Sequence, residues 1–230
     1  MSEEQEIVYD NKRWELFTLK RKRAENIVKA ILDLNLNIYI IGSLARGDIK
    51  ESSDIDIVIL ESFSPYRIEI SLENKGFHIF KKEIIQATPN YTPKAYIFLD
   101  AFDKEVISFP LFKLKPREAE FYKWGGQISY SEIISNKRVP GVNKELRLII
   151  PTERGHIEMP ILGRENVVAK KLNIDISTIL ERERVLSRRK EIGRTGVFLK
   201  YEVPLNESIE DGIRNLLRKN HFFRKFVENP

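Results

Sequence analysis

The 230-residue sequence contains no cysteine, which excludes disulfides, thiolate-held zinc, iron–sulfur clusters and thiol nucleophiles. Its three histidines, His78, His156 and His221, are scattered, so a multi-histidine metal site has no basis. No apolar run approaches the ~18 residues of a membrane span, and no membrane association is expected. The amino-terminal MSEEQEIVYD is acidic and has no apolar stretch, which argues against a secretory signal. The cytoplasm is the expected compartment. A metal, if used, must be held by carboxylates, which favours Mg²⁺ or Mn²⁺ over zinc.

What is present is the composition of a folded chain, 42% hydrophobic and 32% charged. The length suits one large domain or two small ones. The net charge of +5 is unevenly spread. Residues 1–136 hold 19 basic against 21 acidic residues, and residues 137–230 hold 20 against 13. That asymmetry suggests two modules, the second facing a polyanion. Thirty isoleucines and abundant Lys and Glu, without cysteine, point to a thermophilic source.

Apolar residues at helical spacing predict a helix over residues 11–34, followed by a buried strand at residues 38–41. DIDIVIL, residues 54–60, reads as a second strand, and AYIFLDAF, residues 95–102, as another with a hairpin return at 105–109. Residues 67–71 and 77–85 read equally as sheet or helix. Helices are expected at 116–124, 164–172, 177–190 and 209–226, with a strand at 146–150.

The most informative stretch is GSLARGDIKESSDIDIVIL, residues 42–60. Gly42 and Ser43 follow an apolar strand and precede a short helical turn. Glycine lets the backbone approach a ligand, the serine hydroxyl donates, and the amides of the turn point outward, which together make a phosphate cradle. Asp54 and Asp56, two residues apart on a strand, share one face. Two carboxylates ~5–7 Å apart repel unless a cation lies between them. A divalent metal pair that also binds nucleotide phosphates accounts for them and suits in-line displacement at phosphorus. The competing reading is an ordinary turn followed by a solvent-exposed strand end.

Gly42-Ser43, Arg46-Gly47 and Ser53-Asp54-Ile55-Asp56 together resemble the signature of the polymerase-beta-like nucleotidyltransferase superfamily, and most closely its minimal nucleotidyltransferase branch. The resemblance covers residues 27–60, and loosely the rest of the first module. It implies an α/β (α+β) fold, a small mixed β-sheet flanked by helices. It also implies two Mg²⁺ (or Mn²⁺) ions at Asp54 and Asp56, and NMP transfer from an NTP such as ATP with release of pyrophosphate. Gly42, Ser43, Arg46 and Gly47 would then lie at the nucleotide, with a salt bridge as the second reading for Arg46 and a cap or turn role for Asp48. A third carboxylate from a later strand is implied as metal ligand and general base. Asp100 is the first candidate, ahead of Asp103 and Glu69. If none of them reaches the metals, the module binds nucleotide without efficient turnover.

Two domains are expected, residues 1–128 carrying this site and residues 129–230 forming a helix-turn-helix or winged-helix-like module. In the second, Ser177 and Thr178 begin the second helix and would touch phosphates or base edges. Arg182, Arg184, Arg188, Arg189, Lys190 and Arg194 supply a basic stretch beyond them. Residues 193–201 resemble a wing. The alternative is a small helical domain for protein contact or dimerisation. His156 reads as a packing or surface residue. The leading function is transfer to a nucleic-acid or protein acceptor. The alternative is a DNA-binding regulator or antitoxin-like protein built on the same fold without efficient catalysis.

Overall fold

The structure is a computed structural model and describes residues 4–193 and 195–228. Along the chain run β1 (Gln5–Val8), α1 (Asn11–Ile31), a 3-10 turn (Leu32–Leu34), β2 (Ile38–Ile41), α2 (Ser43–Arg46), β3 (Ile55–Ile59), α3 (Tyr66–Asn74), β4 (Lys81–Gln86), β5 (Lys94–Phe98) and β6 (Glu105–Pro110). They continue with α4 (Pro116–Gly125), β7 (Gln127–Ser129), α5 (Tyr130–Ile134), β8 (Gly141–Val142), β9 (Arg147–Thr152), β10 (Gly155–Pro160), α6 (Glu165–Leu172), α7 (Ile176–Ile192), β11 (Leu199–Val203), α8 (Ile209–Lys219) and α9 (His221–Glu228). No helix among the described residues is long and apolar enough to cross a membrane.

Two compact units result, and neither is one continuous stretch. The first takes the chain up to Glu25, then Tyr39–Ile55 and Pro116–Thr195; the second takes Asn26–Ile38, Asp56–Lys115 and the chain from Gly196 on. A single cut at residue 128 therefore does not describe the molecule. The reason lies in pairings distant in sequence. β7 pairs antiparallel with β2 (Tyr39↔Ser129 to Ile41↔Gln127), and β11 pairs antiparallel with β4 (Leu199↔Gln86 to Val203↔Lys82). The end of the segment expected as a wing, residues 193–201, thus belongs to β11, the edge strand of the second unit's sheet. An edge strand satisfies its backbone groups on the strand beside it, which leaves no separate wing hairpin.

In the first unit β1, β10, β9 and β8 form an antiparallel sheet in that order. Gly155, in β10, faces the β1 backbone so closely that a Cβ there would stand 1.9 Å from the Ile7 carbonyl oxygen. Only glycine permits that approach. Leu148, Ile161, Val168, Ile179 and Leu186 gather with Trp124 and Val142 into one apolar cluster. α6 and α7 are joined by the turn Asn173-Ile174-Asp175. Asn173 takes the left-handed conformation that ends α6, and Asp175 caps α7 by accepting from the Ser177 amide at 2.7 Å. What the structure shows at the expected helix-turn-helix is two helices joined by this tight turn; Arg194 lies outside the described residues.

In the second unit the strands run β11, β4, β5, β6, β3. Alternation along β5 divides its residues between faces: Ala95 and Ile97 are fully buried, while Lys94 and Tyr96 are half-buried. α8 lies close on Val203 and Ile84; a Cβ at Gly212 would be 2.7 Å from the Val203 methyl. A buried ion pair fastens the connection before it: Lys82 Nζ donates to Glu69 at 2.8 Å, and Glu69 accepts from the Ile209 amide at 3.0 Å. Residues 67–71 are helical, within α3. The single helix expected over 209–226 is two, because Asn220 is extended and its side chain accepts from the Phe223 amide at 2.9 Å, starting a new helix.

Candidate functional site

β2 ends at Ile41, and the chain turns sharply at Gly42 with φ 76° and ψ −145°. That region of backbone space belongs to glycine. A Cβ at this position would meet nothing within 4 Å, so conformation rather than crowding requires glycine, and the space above the turn is open. The Gly42 amide donates to the Gly126 carbonyl at 3.0 Å, and those of Ala45 and Arg46 donate to the Gly42 carbonyl at 3.0 Å. The amides of Ser43 and Leu44 precede the first bond of α2, so with the Ser43 hydroxyl they are the donors this turn offers to an anion.

Arg46 does not join them. It is 5% exposed, its Nε and NH2 donate to Asp48 Oδ1 and Oδ2 at 2.9 Å each, and its NH1 donates to the Gly125 carbonyl at 2.5 Å. The salt-bridge reading of Arg46 is the one realised, and the nucleotide contact expected of it is corrected. Asp48 completes the pair rather than capping a helix. Gly47 is likewise structural. With φ 102° it closes α2, and a Cβ there would stand 2.6 Å from Arg138 Cδ. Arg21 braces the same turn, donating from Nε to the Leu44 carbonyl at 2.9 Å. Burial, with Arg138 nearby, pushes the Arg21 guanidinium down to about 10.

The loop into β3 is pinned at both ends. The Ser53 hydroxyl accepts from the Lys50 amide at 2.9 Å, and Lys20 of α1 donates to the Glu51 carbonyl at 3.2 Å and to the Ser53 carbonyl. Asp54 stands just before β3 and Asp56 within it, both half-buried. Their oxygens are hard donors, and Mg²⁺ characteristically takes one or two carboxylates and completes its shell with phosphates and water. The donor set therefore fits Mg²⁺ or Mn²⁺.

Asp100 does not complete a triad. It lies past the end of β5, and its carboxylate accepts from the amides of Phe102 at 3.1 Å, Lys104 at 2.8 Å and Glu105 at 2.8 Å. It is the organiser of the β5–β6 turn, because an aspartate can satisfy several turn amides that no strand partner reaches. Asp103 pairs with Lys81, and Glu69 is spent on Lys82 and Ile209. Among the described residues no three His, Cys, Asp or Glu are gathered to hold a metal ion. One residue that sequence reasoning passed over does face Asp56. Tyr96 aligns with Glu83 on β4 and Ser108 on β6, and burial, then the negative charge of Asp56, holds its phenol protonated, pushed up to about 12. Its alternation with Ala95 and Ile97 was the available signal.

The residues expected to meet nucleic acid divide. Thr178 is 1% exposed and donates to the Glu120 carboxylate; Arg182 lies over the rings of Phe121, at 4.6 Å, and Trp124, at 5.6 Å. Thr178 is a packing residue, which corrects its expected role, while Arg182 is half-buried against those rings. The Ser177 hydroxyl accepts from Arg117 at 3.1 Å. Arg188 and Arg189 are exposed on the outer part of α7. His156 is buried and bonded to Tyr9, a packing residue as expected.

Residues 21–107 match the family model described as a nucleotidyltransferase domain. No curated protein and no solved structure matches the chain.

Proposed function

We propose that the chain transfers an NMP unit from an NTP to a hydroxyl acceptor, nucleic acid or protein, with release of pyrophosphate and dependence on Mg²⁺ or Mn²⁺; the match of residues 21–107 to the nucleotidyltransferase-domain model supports the reading. The observation that carries this reading is the open glycine turn at Gly42-Ser43 in the same motif as the Asp54 and Asp56 carboxylates. In it the Ser43 hydroxyl and the amides of Ser43 and Leu44 receive phosphate oxygens of the NTP. Asp54 and Asp56 would hold the divalent ion. When bound, that ion neutralises the phosphates and lowers the cost of charge developing on the attacking and leaving oxygens. Arg46 and Arg21 keep the turn rigid from beneath, so that its donors need little rearrangement during the reaction.

Transfer of label from each of the four NTPs, with and without Mg²⁺, tests the reading. Wild type labels an acceptor, while Asp54→Ala and Asp56→Ala lose transfer and keep their fold. Absence of transfer by wild type to RNA, DNA and protein alike refutes it.

A second reading has one observation in its favour: the carboxylate of Asp100 is taken up by its own turn, and no third acidic group joins Asp54 and Asp56 among the described residues. On it the fold serves nucleotide-responsive DNA binding or an antitoxin-like role without efficient turnover. DNA binding that survives Asp54→Ala and Asp56→Ala, with no transfer to any acceptor, distinguishes it.

A further inference from the structure

The first unit holds an open cleft of about 170 Å³ lined by Lys123, Gln127, Val139, Pro140, Lys171 and Leu172. One water needs about 10–15 Å³ on the same measure, so the cleft has room for a planar ring and not only for solvent. Its walls come from the end of α4, from β7, from the segment leading into β8 and from the end of α6. Three properties of this lining point to one kind of ligand.

The first is charge. Lys123 and Lys171 are both exposed at the cleft, on different helices, and neither belongs to an ion pair among the described residues. Two cations held apart and uncommitted suit successive phosphates better than one compact anion. The second is the apolar part of the lining. Val139, Pro140 and Leu172 offer a surface against which a base can lie without loss of hydrogen bonds. The third is Gln127. Its side-chain oxygen is buried and has no hydrogen-bond partner. A buried acceptor left unmade is costly, and a turn of the Gln127 side chain into the cleft it lines would let the N–H edge of a base satisfy it.

The cleft also has a fixed relation to the glycine turn. Gln127 pairs with Ile41, the residue before Gly42, and the Gly42 amide is bonded to Gly126. A nucleotide seated at Gln127 thus lies beside the strand end that presents Ser43.

We propose that this cleft seats one nucleotide unit of a single-stranded polynucleotide acceptor, with Lys123 and Lys171 on its phosphates, Val139, Pro140 and Leu172 against its base, and the Gln127 amide at the base edge. The assignment rests on the transferase reading above and names its acceptor class. The same nucleotide chemistry is carried by the incoming NTP, so the two sources need separate arms.

The experiment measures binding, which requires no turnover. Anisotropy of short labelled single-stranded RNAs, one of mixed sequence and four homopolymeric, is titrated across a salt series with wild type, K123A/K171A and Gln127→Leu. Equilibrium binding of Mg²⁺–ATP is measured in parallel. Both lysines are exposed, and circular dichroism verifies that the variants fold. The expected result for K123A/K171A is a slope of log affinity against log salt shallower by about 1.4, from about 0.7 per phosphate contact. ATP affinity is expected to stay unchanged. Gln127→Leu is expected to keep the salt slope and lose preference among homopolymeric RNAs. A loss of ATP affinity with RNA binding intact assigns the cleft to the incoming nucleotide and overturns the acceptor assignment. Unchanged binding of both ligands in all variants, or transfer of label to protein unaffected by K123A/K171A, overturns the site. Asp54→Ala separates the two levels: it abolishes transfer and leaves the RNA slope unaltered, so failure of the cleft and failure of the transferase reading give different results.

Discussion

The Tyr9 hydroxyl lies 2.5 Å from Nδ1 of His156, with the two residues 6% and 3% exposed. Tyr9 packs on Trp14 with ring centroids 5.0 Å apart, and the Arg13 guanidinium lies over its ring at 3.9 Å. The phenol stays protonated and donates, because burial pushes it up to about 12, with Asp48 adding to the rise and Arg13, Arg138 and Arg46 opposing it. His156 is held neutral and accepts; burial lowers its pKa, against the opposing pull of Asp48 and Glu158.

A stability plateau follows from this pair. A tyrosine raised in the folded state contributes stability that is present below its unfolded value near 10 and lost as pH rises toward about 12. A histidine lowered in the folded state contributes stability that is present above its unfolded value and lost as pH falls through the folded one. Urea midpoints are therefore expected to be flat from about pH 7 to about pH 10 and to fall on both sides. The alkaline limb is worth roughly 2–3 kcal/mol from Tyr9. Tyr9→Phe is expected to be less stable at pH 8 and to flatten that limb. An alkaline limb unchanged in Tyr9→Phe contradicts the assignment.

The Arg46–Asp48 pair yields a second prediction. Removing one partner leaves a buried charge, and Arg46→Ala or Asp48→Asn is expected to cost about 3–5 kcal/mol. Arg46→Lys does not rescue it, because an ammonium cannot reproduce the two parallel bonds and the link to Gly125. Denaturant unfolding with and without ATP reads the outcome. Full stability with a selective loss of ATP affinity would make Arg46 a phosphate ligand instead.

Much of this architecture was legible in the chain. Periodicity placed α1, β2, β3, β6 and α4, because each is long or uniform enough for one period to dominate. The turn at Gly42 was legible because glycine followed by serine after a β-branched run has few other uses. The interleaving of the two units was not, since β2–β7 and β4–β11 pair residues far apart in sequence. Short motifs give a residue's type but not its partner. Arg46 and Asp48 lie two apart inside the motif, yet nothing local shows that they satisfy each other. Asp100 misled for a related reason: an aspartate at the end of an apolar strand reads alike whether it meets a metal or its own turn.

That ambiguity is testable. Asp100→Ala removes an acceptor from three amides of the β5–β6 turn and is expected to cost about 1–2 kcal/mol. Affinity for Mn²⁺, followed by paramagnetic relaxation of solvent water, is expected to stay at the wild-type value, while Asp56→Ala lowers it. A fall in Mn²⁺ affinity in Asp100→Ala equal to that in Asp56→Ala would place Asp100 at the metal after all.

The two halves of α7 are expected to behave differently. Thr178 is buried against Glu120, so Thr178→Val leaves a carboxylate without its donor and is expected to lower stability by about 1–3 kcal/mol. Its effect on nucleic-acid binding, measured well below the melting temperature, is expected to be nil. Arg188 and Arg189 are exposed, so R188A/R189A is expected to leave the melting temperature unchanged. If α7 meets duplex DNA, that variant reduces the salt slope by about 0.9 for each lost phosphate contact. A stability loss in R188A/R189A, or weakened DNA binding in a fully folded Thr178→Val, would reverse the assignment of the two halves. The physical distinction is burial: a hydroxyl already bonded to a carboxylate inside the unit has no donor left for a phosphate, whereas an exposed guanidinium does.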